Sequence, residues 1–169
     1  MFWVNSGPGD LSFLTWSADR DGSDGGEGVR RAYEEIGQRL DAANLVMLHE
    51  RIFGDVSTAE SVAATRAAAL GEDTENAAIP PTYIEGAPCA GSGVAGIHVI
   101  AAHPSTSDSV ETIDWRGAPC GRCIVGDDAS YLAISDPARL LPAEARTRPA
   151  DETREALLLA EEMLREYGW

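Results

Sequence analysis

Basic residues are scarce in this chain. Its 169 residues include 13 lysines and arginines against 28 aspartates and glutamates, which gives a formal net charge of −15. Nucleic-acid backbones and anionic membranes attract positive charge, so this balance argues against both as partners. Because 44% of the residues are hydrophobic, the chain can still bury a core of about one domain.

Long hydrophobic runs are also lacking. No apolar run approaches the roughly 20 residues that a membrane-spanning helix needs. The stretch Met1–Pro8 has neither the basic start nor the unbroken apolar segment of a secretory signal. We therefore expect a cytoplasmic protein.

Cysteine is rare, with three in the chain. Cys120 and Cys123 have the CxxC spacing of a redox pair or of half a zinc site. A redox pair sits at a helix N-terminus, where the dipole lowers the thiol pKa, but a strand pattern follows here. A zinc site would need further ligands, such as Cys89 and a histidine. We favour buried thiols over both alternatives, and we expect no metal and no cofactor.

A strand-like stretch occurs twice. Asp10–Ala18 and Ala129–Asp136 share the order serine, aromatic, leucine, small, large apolar, serine. Each alternates like a strand and is followed by a polar loop and an amphipathic helix. The apolar stripes of these helices are Val29, Ala32, Tyr33, Ile36 and Leu40 in the first and Thr153, Ala156, Leu157, Ala160 and Leu164 in the second. We interpret this pattern as an internal duplication.

The rest of the pattern predicts an α+β fold with one complete unit and part of another. Residues 1–103 read as strand, strand, helix, strand, helix, strand, strand. Residues 104–112 are rich in proline, serine, threonine and aspartate and are predicted to be a linker. Residues 113–169 restart the unit and supply a hairpin and one helix.

The partial second unit predicts an uncovered surface. The large apolar side chains that would face water are Leu157, Leu158, Met163, Leu164 and Tyr167. Leaving such side chains exposed forgoes about 1.5–3 kcal/mol each, and an open sheet edge invites pairing. We therefore expect an oligomer. Three partners could cover this surface: the first unit folding across it, a symmetry mate, or a second chain that completes the half unit. We favour the second chain.

Several stretches carry a family resemblance. They are Ala32–Ala43, Val46–Asp55, Pro80–Ile84, Gly96–Ala101, Gly117–Pro119, Tyr131–Ser135 and Asp151–Leu157. The order and the residue pattern of these stretches resemble those of the RidA (YjgF) superfamily. The tandem units of the chain are similar to those of the chorismatases. The resemblance implies a mixed sheet with two helices on one face, a trimer-like assembly, ligand clefts between units and no cofactor.

The resemblance also implies a catalytic pair. Imine deaminases of the family hold the substrate carboxylate with an arginine and position water with a glutamate in the last strand. Here Pro81 and His98 stand at those two positions. A proline cannot supply a planar, charged fork. His98, as a general acid or base, and Tyr83 are the catalytic candidates, and the alternative is that His98 is a core histidine.

Four further residues are candidates for binding substrate. His49 and Arg51 share one face of a predicted strand and could bind a carboxylate, although we favour a structural ion pair between Arg51 and Glu50. Arg122 lies where the family's ligand-contacting loop lies and could replace the missing arginine, with Cys120 nearby. Two functions stay open: a protein that binds or hydrolyses a small carboxylate metabolite, and a catalytically silent binding or assembly subunit.

Overall fold

The computed structural model describes residues 2–5, 11–18, 26–71, 74–86, 93–104, 109–126, 130–146 and 148–168. The strands are β1 (Phe2–Asn5), β2 (Leu11–Ser17), β3 (Val46–Gly54), β4 (Thr82–Glu85), β5 (Val94–Ala102), β6 (Ser109–Trp115), β7 (Ala118–Val125) and β8 (Ser130–Ile134). The α-helices are α1 (Gly26–Ala42), α2 (Ala59–Leu70), α3 (Glu75–Ala78) and α4 (Pro149–Glu166). These elements confirm the α+β class. Cys89, Asp10, Ala129 and Trp169 lie outside the described residues.

The first sheet has five strands in the order β1-β2-β5-β3-β4. Its neighbours are antiparallel except β3 and β4, which are parallel, so the sheet is mixed. The helix α1 packs against one face of this sheet and buries the apolar stripe that the sequence predicts. The helix α2 packs beside α1 and adds Val62 to the same core. These elements form the first unit.

The second sheet is antiparallel and has the order β6-β7-β8. One of its faces packs against α4 around Ile113 and Met163. On the other face Ile124 packs against Leu48 and Ala102 of the first sheet. The molecule is therefore layered as helices, sheet, sheet and helix, with the two sheets in contact.

The predicted linker is partly wrong, because β6 begins at Ser109 and so includes residues 109–112. The second unit therefore has three strands rather than a hairpin. The strand β6 lies at the edge of its sheet, and Ser109, Glu111 and Thr112 on it are exposed. An exposed edge strand has the polar composition of a linker, so composition did not distinguish the two.

The predicted stripe of α4 is partly wrong, because it includes Ala156, which is partly buried against the second sheet, but also Leu157, which is exposed. The side chains that pack against the second sheet are those of Ala156, Leu159, Met163 and Tyr167. Leu157 is 67% exposed and Leu158 50% exposed. Three consecutive leucines let the sequence pattern match more than one helical face, and contact with the sheet selects the face of Leu159. Met163 and Tyr167, which were expected to need a partner, pack within the second unit.

A helix that spans a bilayer needs about 20 predominantly apolar residues. No helix in the described part of the chain is long and apolar enough for this.

Candidate functional site

A row of polar side chains crosses the face of the first sheet that points away from α1 and α2. The strand register pairs Thr15 with His98 and His98 with Arg51. It then pairs Arg51 with Thr82 on β4. Because directly opposed residues of paired strands point to the same face, Arg51 lies between His98 and Thr82.

A β-bulge in β3 places His49 next to this row. Met47 is opposite Ala101 and His49 is opposite Ile100, so Leu48 is the extra residue. Met47 belongs to the core under the helices, whereas Leu48 belongs to the contact with the second sheet. The bulge thus directs both Leu48 and His49 away from the helices.

Arg51 of this row, together with His49, lines a cavity of about 310 Å³ between the two sheets. His98 is next to Arg51 on the neighbouring strand and is not among the residues that line this cavity. The first unit lines it with Leu11, Leu48, His49, Arg51 and Ile100, and the second unit with Tyr131, Leu132, Ala133 and Ile134. His49 and Arg51 share one face, as their spacing predicts, and both line this inter-unit cleft. The apolar walls lower the local dielectric, which strengthens any charge interaction inside.

Arg51 contributes the positive charge of the cleft. The alternative that Arg51 pairs with Glu50 is wrong, because the Glu50 carboxylate lies on the helix side of the sheet. There it accepts hydrogen bonds from Arg66 Nε at 2.6 Å and from the Tyr33 hydroxyl at 2.5 Å. Within the described ranges, no carboxylate lies at ion-pairing distance from the half-buried Arg51.

His49 is neutral at physiological pH. Burial, the Arg51 charge and His98 lower its pKa to about 4. Its Nε2 lies 3.0 Å from Thr82 Oγ1, and that oxygen accepts a hydrogen bond from the Asp136 amide at 3.0 Å. With the Thr82 hydroxyl donating to Nε2, the chain of bonds links the cleft histidine to the second unit.

His98 stands one strand away from Arg51 and is half-buried. Burial and the Arg51 charge lower its pKa, which favours the neutral imidazole. Its ring stacks on Phe13 with 6.0 Å between centroids and 14° between planes. The stacking fixes the ring on the face that carries the polar row, where a neutral imidazole can accept a proton.

Tyr83 is not brought together with His98. It pairs with Ile52, whose side chain lies in the core under the helices, and Tyr83 packs against that core. Its hydroxyl lies 2.7 Å from Thr58 Oγ1 and donates to the Asp55 carbonyl at 3.1 Å. The structure thus places the two predicted catalytic residues on opposite faces of one sheet. Strand alternation separates them, although their strands were correctly predicted.

Arg122 does not face the cleft. Its side chain is 1% exposed and donates hydrogen bonds to the Met47 carbonyl at 2.9 Å, to Asn76 Oδ1 at 3.3 Å and to the Glu75 carbonyl. Burial lowers its pKa. β4 pairs only with residues 51–54 of β3, and Arg122 supplies a hydrogen-bond donor to the Met47 carbonyl earlier on that strand. The prediction that Arg122 binds substrate is therefore corrected. Arg122 instead joins the second unit to the first and acts as a clamp between units.

Cys120 is also remote from the cleft. It is fully buried in the core between the second sheet and α4, where its thiol contacts the Ile113 carbonyl at 3.3 Å. Burial and Asp114 raise its pKa to about 11, and burial also raises the pKa of Cys123. Protonated, buried thiols make poor nucleophiles and poor metal ligands. The placement of Cys120 therefore corrects the substrate-binding prediction.

Two residues of the site were not among the candidates. Tyr131 enters the cleft from β8, and Thr82 bonds to His49. The alternation within the second repeat could have identified Tyr131, because it places Tyr131 on the face opposite Leu132. Thr82 had no such signal, because its role depends on the parallel pairing of β3 with β4.

Comparisons with known proteins add no relative to this picture. No protein-family model matches the chain, no curated protein matches it, and no solved structure matches it.

Proposed function

We propose that this chain is a RidA-like protein that binds, and hydrolyses, a small carboxylate metabolite in the cleft between its two units. The observation that carries the proposal is Arg51, a half-buried guanidinium that lines the cleft without a carboxylate partner among the described residues. A desolvated guanidinium binds carboxylates through paired, charge-assisted hydrogen bonds.

The arrangement of the elements supports a RidA-like first unit. Its mixed sheet carries α1 and α2 on one face, which is what the resemblance implies. In the second unit β7, β8 and α4 repeat the order of β1, β2 and α1. The second unit is then a partial copy, and the ligand cleft between copies is the place where the family resemblance puts substrates.

The position of Arg51 offers a replacement for the missing arginine. The resemblance assigns that arginine to the position of Pro81, immediately before β4. Arg51 on the neighbouring strand is directly opposite Thr82, the next residue along β4. Arg51 can therefore supply the planar, charged fork that Pro81 lacks, on the face of the sheet that carries Thr82 and the cleft.

For hydrolysis, His98 is the proposed general base. With an imino acid held by Arg51, its neutral imidazole would accept a proton from a water molecule as the water oxygen bonds to the imine carbon and the C=N π electron pair moves to nitrogen. The imidazolium would return its proton to that nitrogen, the C–N bond would break, and ammonia would leave as the carbonyl forms. The lowered pKa keeps the base unprotonated at neutral pH. No cofactor is required for this step.

A thermal-shift screen with 2-keto acids, chorismate and imino acids tests the proposal. We expect a stabilising ligand whose shift disappears in R51Q and persists in H98A, while H98A loses turnover. R31Q, which changes an exposed helix arginine, is the matched control and should keep the shift. A ligand shift of equal size in R51Q would contradict the proposal.

A second candidate function is a catalytically silent assembly subunit. The observation that favours it is the exposure of Leu157 and Leu158 on α4, whereas the corresponding helix α1 packs against α2. The proposed partner is a second chain that covers α4 in a trimer-like assembly. Light scattering on the chain alone and on the chain co-expressed with its neighbouring gene product tests this. A monomer in both samples would contradict it.

A further inference from the structure

We infer that the cleft selects monocarboxylates with an apolar body over dianions and over small polar acids. This inference rests on the proposed function, because it names the class of carboxylate that the same cleft would take. It follows from the charge, the walls and the size of the cleft, each of which restricts the ligand separately.

The charge of the cleft matches one carboxylate. Arg51 supplies one positive charge, and His49 beside it is neutral at physiological pH because its pKa is about 4. Among the described residues that line the cleft, a second anionic group in the ligand would find no second permanent cation to pair with, which is costly in apolar surroundings. A neutral ligand would instead leave the guanidinium unpaired. One cation among these residues therefore favours a single negative charge.

The walls of the cleft match an apolar body. Leu11, Leu48 and Ile100 line it from the first sheet, and Ala133 lines it from the second. A hydrocarbon group would exchange water for these aliphatic side chains, which is favourable. Hydroxyl or amide groups against these aliphatic side chains would lose their water without gaining partners. The part of the ligand that contacts these side chains is thus expected to be hydrocarbon.

The size of the cleft admits a metabolite of this kind. Its volume of about 310 Å³ lies at the lower end of the roughly 300–1,000 Å³ that small-molecule sites occupy. A phenyl ring or a branched alkyl chain with its carboxylate fits such a volume. Acetate, by contrast, would leave the aliphatic walls uncovered.

The test is calorimetric titration of the full chain with four probes at pH 7. The probes are 3-phenylpropanoate, the neutral amide 3-phenylpropanamide, the dianion phenylsuccinate, and acetate. We expect 3-phenylpropanoate to bind at least about tenfold more tightly than each of the other three. We expect R51Q to lose that preference over the amide, whereas the exposed-site control R154Q keeps it.

A second variant tests the body of the ligand without touching the charge. Ala133 lines the cleft, so A133L fills part of its volume. We expect at least about tenfold weaker binding of 3-phenylpropanoate, and no such loss in A63L, which enlarges an exposed side chain of α2. Unchanged binding in A133L would overturn the inference.

The failures of the two proposals are distinguishable. If 3-phenylpropanoate, phenylsuccinate and acetate bind with dissociation constants within threefold of one another, and all three depend on Arg51, the inferred selectivity is wrong. The proposal that the cleft binds a carboxylate is then retained. If no probe binds, or if binding is unchanged in R51Q, both proposals fail.

Discussion

The guanidinium groups of three arginines have different surroundings in this molecule. Arg66 is buried and pairs with the Glu50 carboxylate while it also donates to backbone carbonyls. Arg122 is buried and bonds to neutral oxygens. Arg51 is half-buried and faces a cleft. Burial of a charge requires partners, and of these three it is Arg51 that has no carboxylate partner among the described residues.

The first prediction concerns Arg122. We expect R122M to lower the free energy of unfolding by about 2–4 kcal/mol, because methionine fills similar space but leaves the Met47 and Glu75 carbonyls without donors. Urea denaturation measures the loss. R154M changes an exposed arginine and should cost less than about 0.5 kcal/mol. Equal losses in the two variants would show that Arg122 is not a clamp.

The second prediction concerns the pH dependence of stability through His49. Its pKa falls from 6.5 in the unfolded chain to about 4 in the folded one. Between these values the unfolded state binds more protons, so folding stability is fully present above pH 6.5 and declines as the pH falls towards 4.

Carboxylates also titrate in this range, so the measurement is a comparison of variants. We expect H49Q to lose less stability between pH 6.5 and pH 4 than the parent chain does, measured by urea denaturation at each pH. H103Q changes an exposed histidine and should follow the parent curve. A parent-like slope in H49Q would show that His49 protonation does not oppose folding.

At the scale of elements, α1 and α4 differ in how closely the sequence determines the buried face. In α1 the apolar residues form one stripe, and that stripe is buried. In α4, Leu157, Leu158 and Leu159 are consecutive, so the helix has more apolar surface than one sheet can cover. The choice between faces comes from packing against the second sheet, which a helical period alone does not contain.

The third prediction tests that choice. We expect L159A to lower the free energy of unfolding by about 2–4 kcal/mol, because it opens a cavity against the second sheet. L157A truncates a side chain that is 67% exposed and should cost less than about 0.5 kcal/mol. Thermal or urea denaturation of both variants decides between the two stripes. A larger loss in L157A would restore the stripe inferred from the sequence.

Strand pairing explains what else the sequence could and could not provide. The apolar strand patterns of β3 and β5 predicted both strands, and strand period alone put His49 and Arg51 on one face. It did not show that Tyr83 aligns with Ile52 and so points to the opposite face from His98. Register between strands distant in sequence is a tertiary property.

At the scale of the whole molecule, the cleft exists because two sheets pack face to face. His49 and Arg51 come from one sheet and Tyr131 from the other. The repeat in the sequence predicted two units but not their orientation. That orientation depends on Arg122 and on the contact of Ile124 with the first sheet.

The fourth prediction is that the two units unfold together. Trp16 packs against the core of the first unit and Trp115 belongs to the core of the second. The chain has four tryptophans. In two variants whose sole tryptophan is Trp16 or Trp115, we expect urea transitions followed by fluorescence to coincide within about 0.2 M, because the buried bonds of Arg122 and the packing of Ile124 couple the units.

Placing a charge at that contact should uncouple the units. In I124D a carboxylate would lie against Leu48 and Ala102 without a partner, and this unpaired charge opposes docking of the sheets. We expect the Trp16 and Trp115 transitions to separate in I124D. They should stay together in the control V125D, because Val125 is 44% exposed. Separate transitions in the parent chain would mean that the units are independent, and the cleft between them would then lack a fixed shape.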